Sequence, residues 1–195
     1  MDAVEAAFAA TPRTRFLPRA ERRRADHDGP LPIGHGMTCS QPRTVAAMLR
    51  LLDVRPGDRV LDVGSGSGWT TALLAHLTGP TGDVLGLEVE PDLVDLGTAN
   101  LAGHLAGQHA AAHRPGARIE AARPGVLGDP GGAPYDRVLV SAEARDLPTA
   151  LVDQLGPGGR MVVPVDGTML LVRATPTGPE VTRHGAYLFV PLREP

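Results

Sequence analysis

Short apolar runs alternating with helical stretches from residue 58 onward predict an α/β fold. The expected core is a doubly wound, mostly parallel sheet covered on both faces. Three observations carry this. The run Val60-Leu61-Asp62-Val63 breaks into Gly64-Ser65-Gly66-Ser67-Gly68 and continues as a helix-like stretch over residues 70–77. Further apolar runs follow, separated by segments that begin with proline, as helices do. The residues before 58 lack this alternation and read instead as an N-terminal helical cap.

Within the cap, residues 2–10 are a helical candidate and 18–25 a second. Residues 28–36 are too rich in glycine and proline to be either helix or strand. Val45, Met48, Leu49 and Leu52 recur at helical spacing, so residues 41–52 form an amphipathic helix. Ser40 stands where a helix-capping hydroxyl belongs, with Pro42 in the first turn. Strands are expected at 59–63, 83–88, 118–122, 136–141 and 160–165, with helices over 91–105 and 148–155. Residues 169–174 and 180–190 read as a closing antiparallel pair. The low-complexity stretch 102–116 reads as a frayed helix end and loop. A chain of 195 residues is long enough for one continuous core, so one domain is expected: a cap over 1–57 and a sheet core over 58–195.

Composition narrows the function. Aromatic residues are 3% of the chain, so Val, Leu and Ala must build the core. A formal net charge of −3 offers no field for nucleic acid, and Arg19, Arg22, Arg23 and Arg24 read as a solvated helix face. No apolar run reaches the roughly 18 residues of a membrane span. The acidic N-terminus does not resemble a secretory leader. Cys39 is the only cysteine, which excludes an internal disulfide and suits a cytoplasmic location. All 19 basic residues are arginine. A lysine-bearing phosphate loop, a Schiff-base lysine and any dehydrogenase that needs a catalytic lysine are therefore excluded.

A strand–turn–helix with a bulk-free turn lets a nucleotide-like ligand lie against the backbone. Dinucleotide sites read G-x-G-x-x-G; this turn reads D-x-G-x-G-x-G, with Asp62 two residues before Gly64. An acid there suits a ligand with a cationic amine, as S-adenosylmethionine has. Asp62, Gly64, Ser65, Gly66 and Gly68 are thus candidate cofactor residues. Glu88, at the end of the second core strand, can accept both hydroxyls of an adenosyl ribose. That fits NAD as well as S-adenosylmethionine.

The segment Leu31-Pro32-Ile33-Gly34-His35-Gly36-Met37-Thr38-Cys39-Ser40-Gln41-Pro42, taken with the glycine turn, resembles the protein-L-isoaspartate O-methyltransferases. Their pattern reads close to L-P-I-G-x-G-x-T-x-S-x-P. The likeness extends through Arg15-Phe16-Leu17-Pro18, Pro56-Gly57-Asp58-Arg59-Val60-Leu61, Pro157-Gly158-Gly159-Arg160 and Phe189-Val190-Pro191-Leu192, covering roughly residues 12–192. The resemblance implies a seven-stranded, Rossmann-like methyltransferase fold and S-adenosyl-L-methionine as cofactor. It implies methyl transfer to the free carboxylate of L-isoaspartyl residues in damaged proteins or peptides. It makes Ser40 the candidate catalytic residue and adds Thr38 and Gly125 to the cofactor set. Such a reaction needs no general base, because a carboxylate is already ionised at neutral pH.

Cys39 reads as a small packed residue rather than a nucleophile. His109 and His113 share a helical spacing without an acid or thiol to complete a metal set, so no metal site is expected. Two departures from the family pattern stand out. Arg123-Pro124-Gly125 replaces its G-D-G, whose aspartate contacts the adenine. Glu143 takes the place of a small residue, where its charge would oppose an anionic substrate unless Arg123 or Arg145 neutralised it. Those changes keep open a carboxyl methyltransferase dedicated to a biosynthetic peptide or small acid, or a non-catalytic adenosyl-binding module. A nicotinamide oxidoreductase fits the glycine spacing worst. Oligomeric state is not legible.

Overall fold

Val60 and Leu61 point to opposite faces of one strand, as successive strand residues must, and both are fully buried. That double burial marks the centre of a covered sheet. A computed structural model describes residues 1–107 and 116–193. It has a seven-stranded sheet: β3 (Arg59–Val63), β4 (Asp83–Glu88), β5 (Gly116–Ala121), β6 (Tyr135–Val140), β7 (Leu155–Val165), β8 (Thr168–Thr175) and β9 (Gly178–Ala186). Their spatial order is β5-β4-β3-β6-β7-β8-β9. The first five strands pair in parallel. β8 runs antiparallel between β7 and β9, which completes the expected closing pair.

One face of the sheet packs Val60, Leu139 and Val162 against α1 (Ala3–Ala10), α2 (Pro42–Leu52), α3 (Trp69–Thr78) and α4 (Pro91–Ala106), through Val4, Leu49, Leu73 and Leu93. The other face buries Leu61, Val63, Val138 and Met161 under the one-turn α5 (Thr149–Val152) and neighbouring loops. Helix 148–155 thus shortens to a single turn, because Leu155 already begins the eleven-residue β7. No helix among the described residues is long and apolar enough to cross a membrane.

Two cap expectations change. Residues 28–36 contain β1 (Leu31–Gly34), which pairs antiparallel with β2 (Met37–Cys39). The glycines that argued against a strand form its turn: Gly34, His35 and Gly36 all take positive φ, which glycine tolerates freely. Leu31 and Ile33 are buried while Pro32 is exposed, the alternation of a half-buried strand. The helix expected over 18–25 is only a three-residue 3₁₀ turn, Arg22–Arg24. The stretch 108–115, with His109 and His113, lies outside the described residues.

Candidate active site

Strand order reverses between β3 and β6, and the carboxyl ends of those strands leave the crevice where such sheets bind ligands. The glycine turn closes its floor. Gly64 N and Ser65 N both donate to Leu87 O of β4, at 2.9 and 3.0 Å. Gly64, Gly66 and Gly68 take φ of 79°, 53° and 85°. The third glycine serves packing: a Cβ on Gly68 would stand 2.9 Å from the Gly97 carbonyl oxygen of α4.

Asp62 lies beneath this turn, wholly buried. Its Oδ2 accepts from the hydroxyls of Thr70 and Thr71, each at 2.7 Å, which ties β3 to the first turn of α3. Burial pushes its pKa up to about 6, against the lowering effect of the two threonines. Glu88 is also buried but reaches the crevice wall. Gly66 N donates to its Oε2 at 2.8 Å, and Val89 N and Glu90 N donate to its Oε1 at 2.8 and 3.0 Å. Three backbone donors fix the position of its two oxygens.

Two cavities meet here. The first is walled by Gly64, Gly66, Glu88 and Val89 on the strand side and by Ile33 and Met37 of the hairpin opposite. The second is walled by Ser40, Gln41, Thr44, Phe189 and Val190. Thr38 and Ser141 line both. A third, smaller space between Ser40 and the turn takes in Ser65 and Gly66. Among the described residues, Asp62 Oδ1, Ser65 Oγ and Ser141 Oγ are buried and form no hydrogen bond of full geometry, although Ser141 stands near enough to Asp62 to lower its pKa. Buried polar atoms are normally satisfied, so these three are what a polar ligand would complete. Unpaired acceptors and hydroxyls, a fixed carboxylate and a turn free of side chains fit an adenosyl ligand with a cationic amine.

The structure therefore brings Thr38, Ser40, Gly64, Ser65, Gly66 and Glu88 to the cavity walls. Asp62 and Gly68 stand behind them. Gly125 is exposed in a turn whose Val126 N donates to Arg123 O at 3.0 Å; Ala122, Leu127 and Gly128 wall the first cavity in its stead.

Ser40 does not cap α2. The cap position falls on Gln41, whose side chain makes no capping bond. Asp28 does the work from a distance: its Oδ1 accepts from Arg43 N at 3.1 Å and its Oδ2 pairs with Arg43 at 2.7 Å. That backbone bond holds the Asp28 pKa below the ordinary carboxylate value. Cys39 is buried, and burial pushes its thiol pKa up, as the packed reading expects.

Glu143 lines neither of the two main cavities. Gly167 N donates to its Oε1 at 2.9 Å and Phe189 N to its Oε2 at 3.2 Å. Its own N–H and carbonyl bond Val190 O and Leu192 N at 2.8 and 2.7 Å. The carboxylate is a clasp for the C-terminal strap, residues 187–193, which walls both cavities. Arg123 is spent elsewhere, on Asp129 at 2.5 Å. At the hairpin tip, His35 faces Glu90 through Nδ1 at 3.4 Å and Asp92 through Nε2 at 3.0 Å. Opposite edges of one ring face the two acids, which bridges the hairpin to the start of α4.

Sequence reasoning missed Arg13. It is 7% exposed and turns its guanidinium on the backbone that ends at Ser40.

The family model for protein-L-isoaspartate(D-aspartate) O-methyltransferase matches residues 1–194. The protein-L-isoaspartate O-methyltransferase of Methanopyrus kandleri is 42% identical over 97% of this chain and 82% of its own length. That of Methanothrix thermoacetophila is 43% identical over 97% and 87%. A Plasmodium falciparum structure, described as a protein-L-isoaspartate O-methyltransferase in complex with S-adenosyl-L-homocysteine, superposes with a TM-score of 0.80 at 28% identity. The match covers all of this chain and 92% of the other. The chain belongs to the protein-L-isoaspartate(D-aspartate) O-methyltransferase family.

Proposed function

We propose that this protein transfers the methyl group of S-adenosylmethionine to the free carboxylate of L-isoaspartyl residues in damaged proteins or peptides. The observation that carries the reading is the junction of two cavities at Thr38 and Ser141, one ending on Glu88 and the glycine turn, the other on Ser40. S-adenosylmethionine, when bound, supplies a methyl group already activated by the sulfonium.

The residues then have separate tasks. Glu88 retains lone pairs after its three backbone bonds and accepts the ribose hydroxyls. Gly64 and Gly66 admit the ligand close to the main chain, and Ser65 and Thr38 offer hydroxyls along it. Asp62 provides negative potential under the amine. Ala122 and Leu127 wall the adenine side, taking the place expected for Gly125. On the other side, the Ser40 hydroxyl donates to one oxygen of the substrate carboxylate, leaving the second oxygen to attack in line. No base is required, because the attacking carboxylate is ionised at neutral pH, and rate comes from alignment. The bound cofactor would supply the methyl that the carboxylate oxygen accepts, with a neutral thioether as the leaving group. The ester then loses methanol as the neighbouring backbone nitrogen closes a succinimide, whose hydrolysis returns some normal aspartate.

The substrate is an extended, mobile peptide segment. The single buried thiol suits work in the reducing cytoplasm. The test is base-labile methanol release from labelled S-adenosylmethionine, with an isoaspartyl peptide and its aspartyl twin. Methyl ester on the isoaspartyl peptide alone is expected. Equal labelling, or none, overturns the substrate assignment.

A further inference from the structure

Arg13 is a buried cation that, among the described residues, forms no ion pair. Charge is buried at high cost unless its donors are fully used, and here every donor is used on the backbone or a thiol. Nη2 donates to Gly29 O at 2.9 Å, Cys39 O at 2.8 Å and Ser40 O at 2.9 Å. Nη1 donates to His27 O at 2.9 Å and Ala25 O at 3.4 Å, and Nε lies 3.5 Å from Cys39 Sγ. The guanidinium also stacks 5.4 Å from the centre of the Trp69 ring, at the start of α3. Trp69 Nε1 in turn donates to Thr11 O at 3.1 Å.

We propose that Arg13 is the positioning residue for Ser40: by gripping the carbonyls of Cys39 and Ser40 it fixes the peptide planes on both sides of the Ser40 Cα. Those planes set the φ and ψ of Ser40, hence the direction of its Cβ and hydroxyl. Nothing else holds that hydroxyl, since it has no hydrogen-bond partner among the described residues. The same grip ties the loop over residues 25–29 and the first turn of α3 to Ser40. Cap, glycine-turn helix and the second cavity therefore meet at one side chain. Packing alone would be served by a neutral residue. A planar fork of five donors is what gathering several carbonyls in fixed directions requires.

This inference rests on the proposed methyl transfer, and its test separates the two. Arg13→Lys and Arg13→Gln keep a donor but lose the fork. Each is expected to lower kcat on an isoaspartyl peptide by about tenfold, with affinity for S-adenosylhomocysteine held within about twofold, the pattern of lost alignment. In a Ser40→Ala background the same substitution should lower kcat by less than about twofold, because groups acting through one another do not add. Amide hydrogen exchange in residues 39–45 should quicken while the sheet core is unchanged. Val172→Ala, a remote core change lowering Tm comparably, should keep kcat. An unchanged kcat, an equal loss in both backgrounds, or unaltered exchange in residues 39–45 overturns the role. If the parent protein methylates no isoaspartyl peptide, the functional reading falls, and the exchange measurement by itself decides for or against Arg13.

Discussion

The two halves of the site are held by different means. On the cofactor side, the groups sit at strand ends and bond to near neighbours in the sheet. Asp62 is tied to the first turn of α3, and Glu88 to the glycine turn beside it and the two residues that follow it. On the substrate side, Ser40 and the strap are held by side chains that reach across the fold. Arg13 grips carbonyls 26 and 27 residues away, and Glu143 holds a backbone N–H 46 residues away. A parallel sheet fixes its strand ends through its own ladder, so the residues proposed to hold the cofactor come pre-positioned. Loops have no ladder, and a charged side chain bonded to main chain takes its place.

That contrast breaks most readily at Glu88. Replacing it with alanine removes the acceptor of three backbone N–H groups and the acceptor proposed for the ribose. S-adenosylhomocysteine affinity should fall by about 100-fold or more, since bonds to a charged group are worth about 1.5–3 kcal/mol each. Calorimetric titration reads this directly. Unchanged affinity would mean that the cofactor half is not built on β4.

Asp62 sharpens the same half through pH. Its carboxyl titrates near 6 in the folded protein against 3.8 unfolded. A raised folded value means that the protonated form is favoured by folding. Stability is fully present below pH 3.8 and declines as pH rises through 6, by about 3 kcal/mol in all. Asp62→Asn should therefore be more stable than the parent protein at pH 8 and equal to it at pH 4, while binding S-adenosylhomocysteine less tightly. Thermal melts at the two pH values check the stability; a Tm difference independent of pH contradicts it.

Ser40→Ala tests the other half. Turnover should fall by roughly 10- to 100-fold, the scale of losing one aligning hydrogen bond in the transition state. Tm and S-adenosylhomocysteine affinity should not change. Asp28→Ala should do the reverse, lowering Tm through the lost cap with a smaller effect on turnover. A drop in Tm for Ser40→Ala would restore capping to the serine. The smallest effect is expected at Glu143→Ala. Losing the two side-chain clasps while the main-chain bonds remain should raise the peptide KM a few-fold and destabilise by about 1–2 kcal/mol. An unchanged KM would separate the strap from substrate binding.

Legibility in the sequence follows the same division. The strand–turn–helix at Asp62–Gly68 and the acid at Glu88 are local patterns with fixed spacing, and the sheet order follows from alternation. The β1–β2 hairpin was hidden because glycine and proline mark turns and also weaken any reading of a strand. Ser40 looked like a cap because capping is judged from adjacent residues, whereas Asp28 caps α2 from thirteen residues upstream of the cap position. Glu143 looked like a charge facing a substrate, because a clasp on distant backbone leaves no sequence trace. Arg13 gave no signal among nineteen arginines, since its partners are carbonyls that every residue possesses.

The most direct test of the two-sided site is a crystal structure with S-adenosylhomocysteine bound. The ribose hydroxyls should rest on Glu88, the amino-acid portion along Gly64–Gly66, and the sulfur at Thr38 and Ser141, facing the cavity that holds Ser40. A ribose remote from Glu88, or a sulfur turned away from that cavity, would contradict the account.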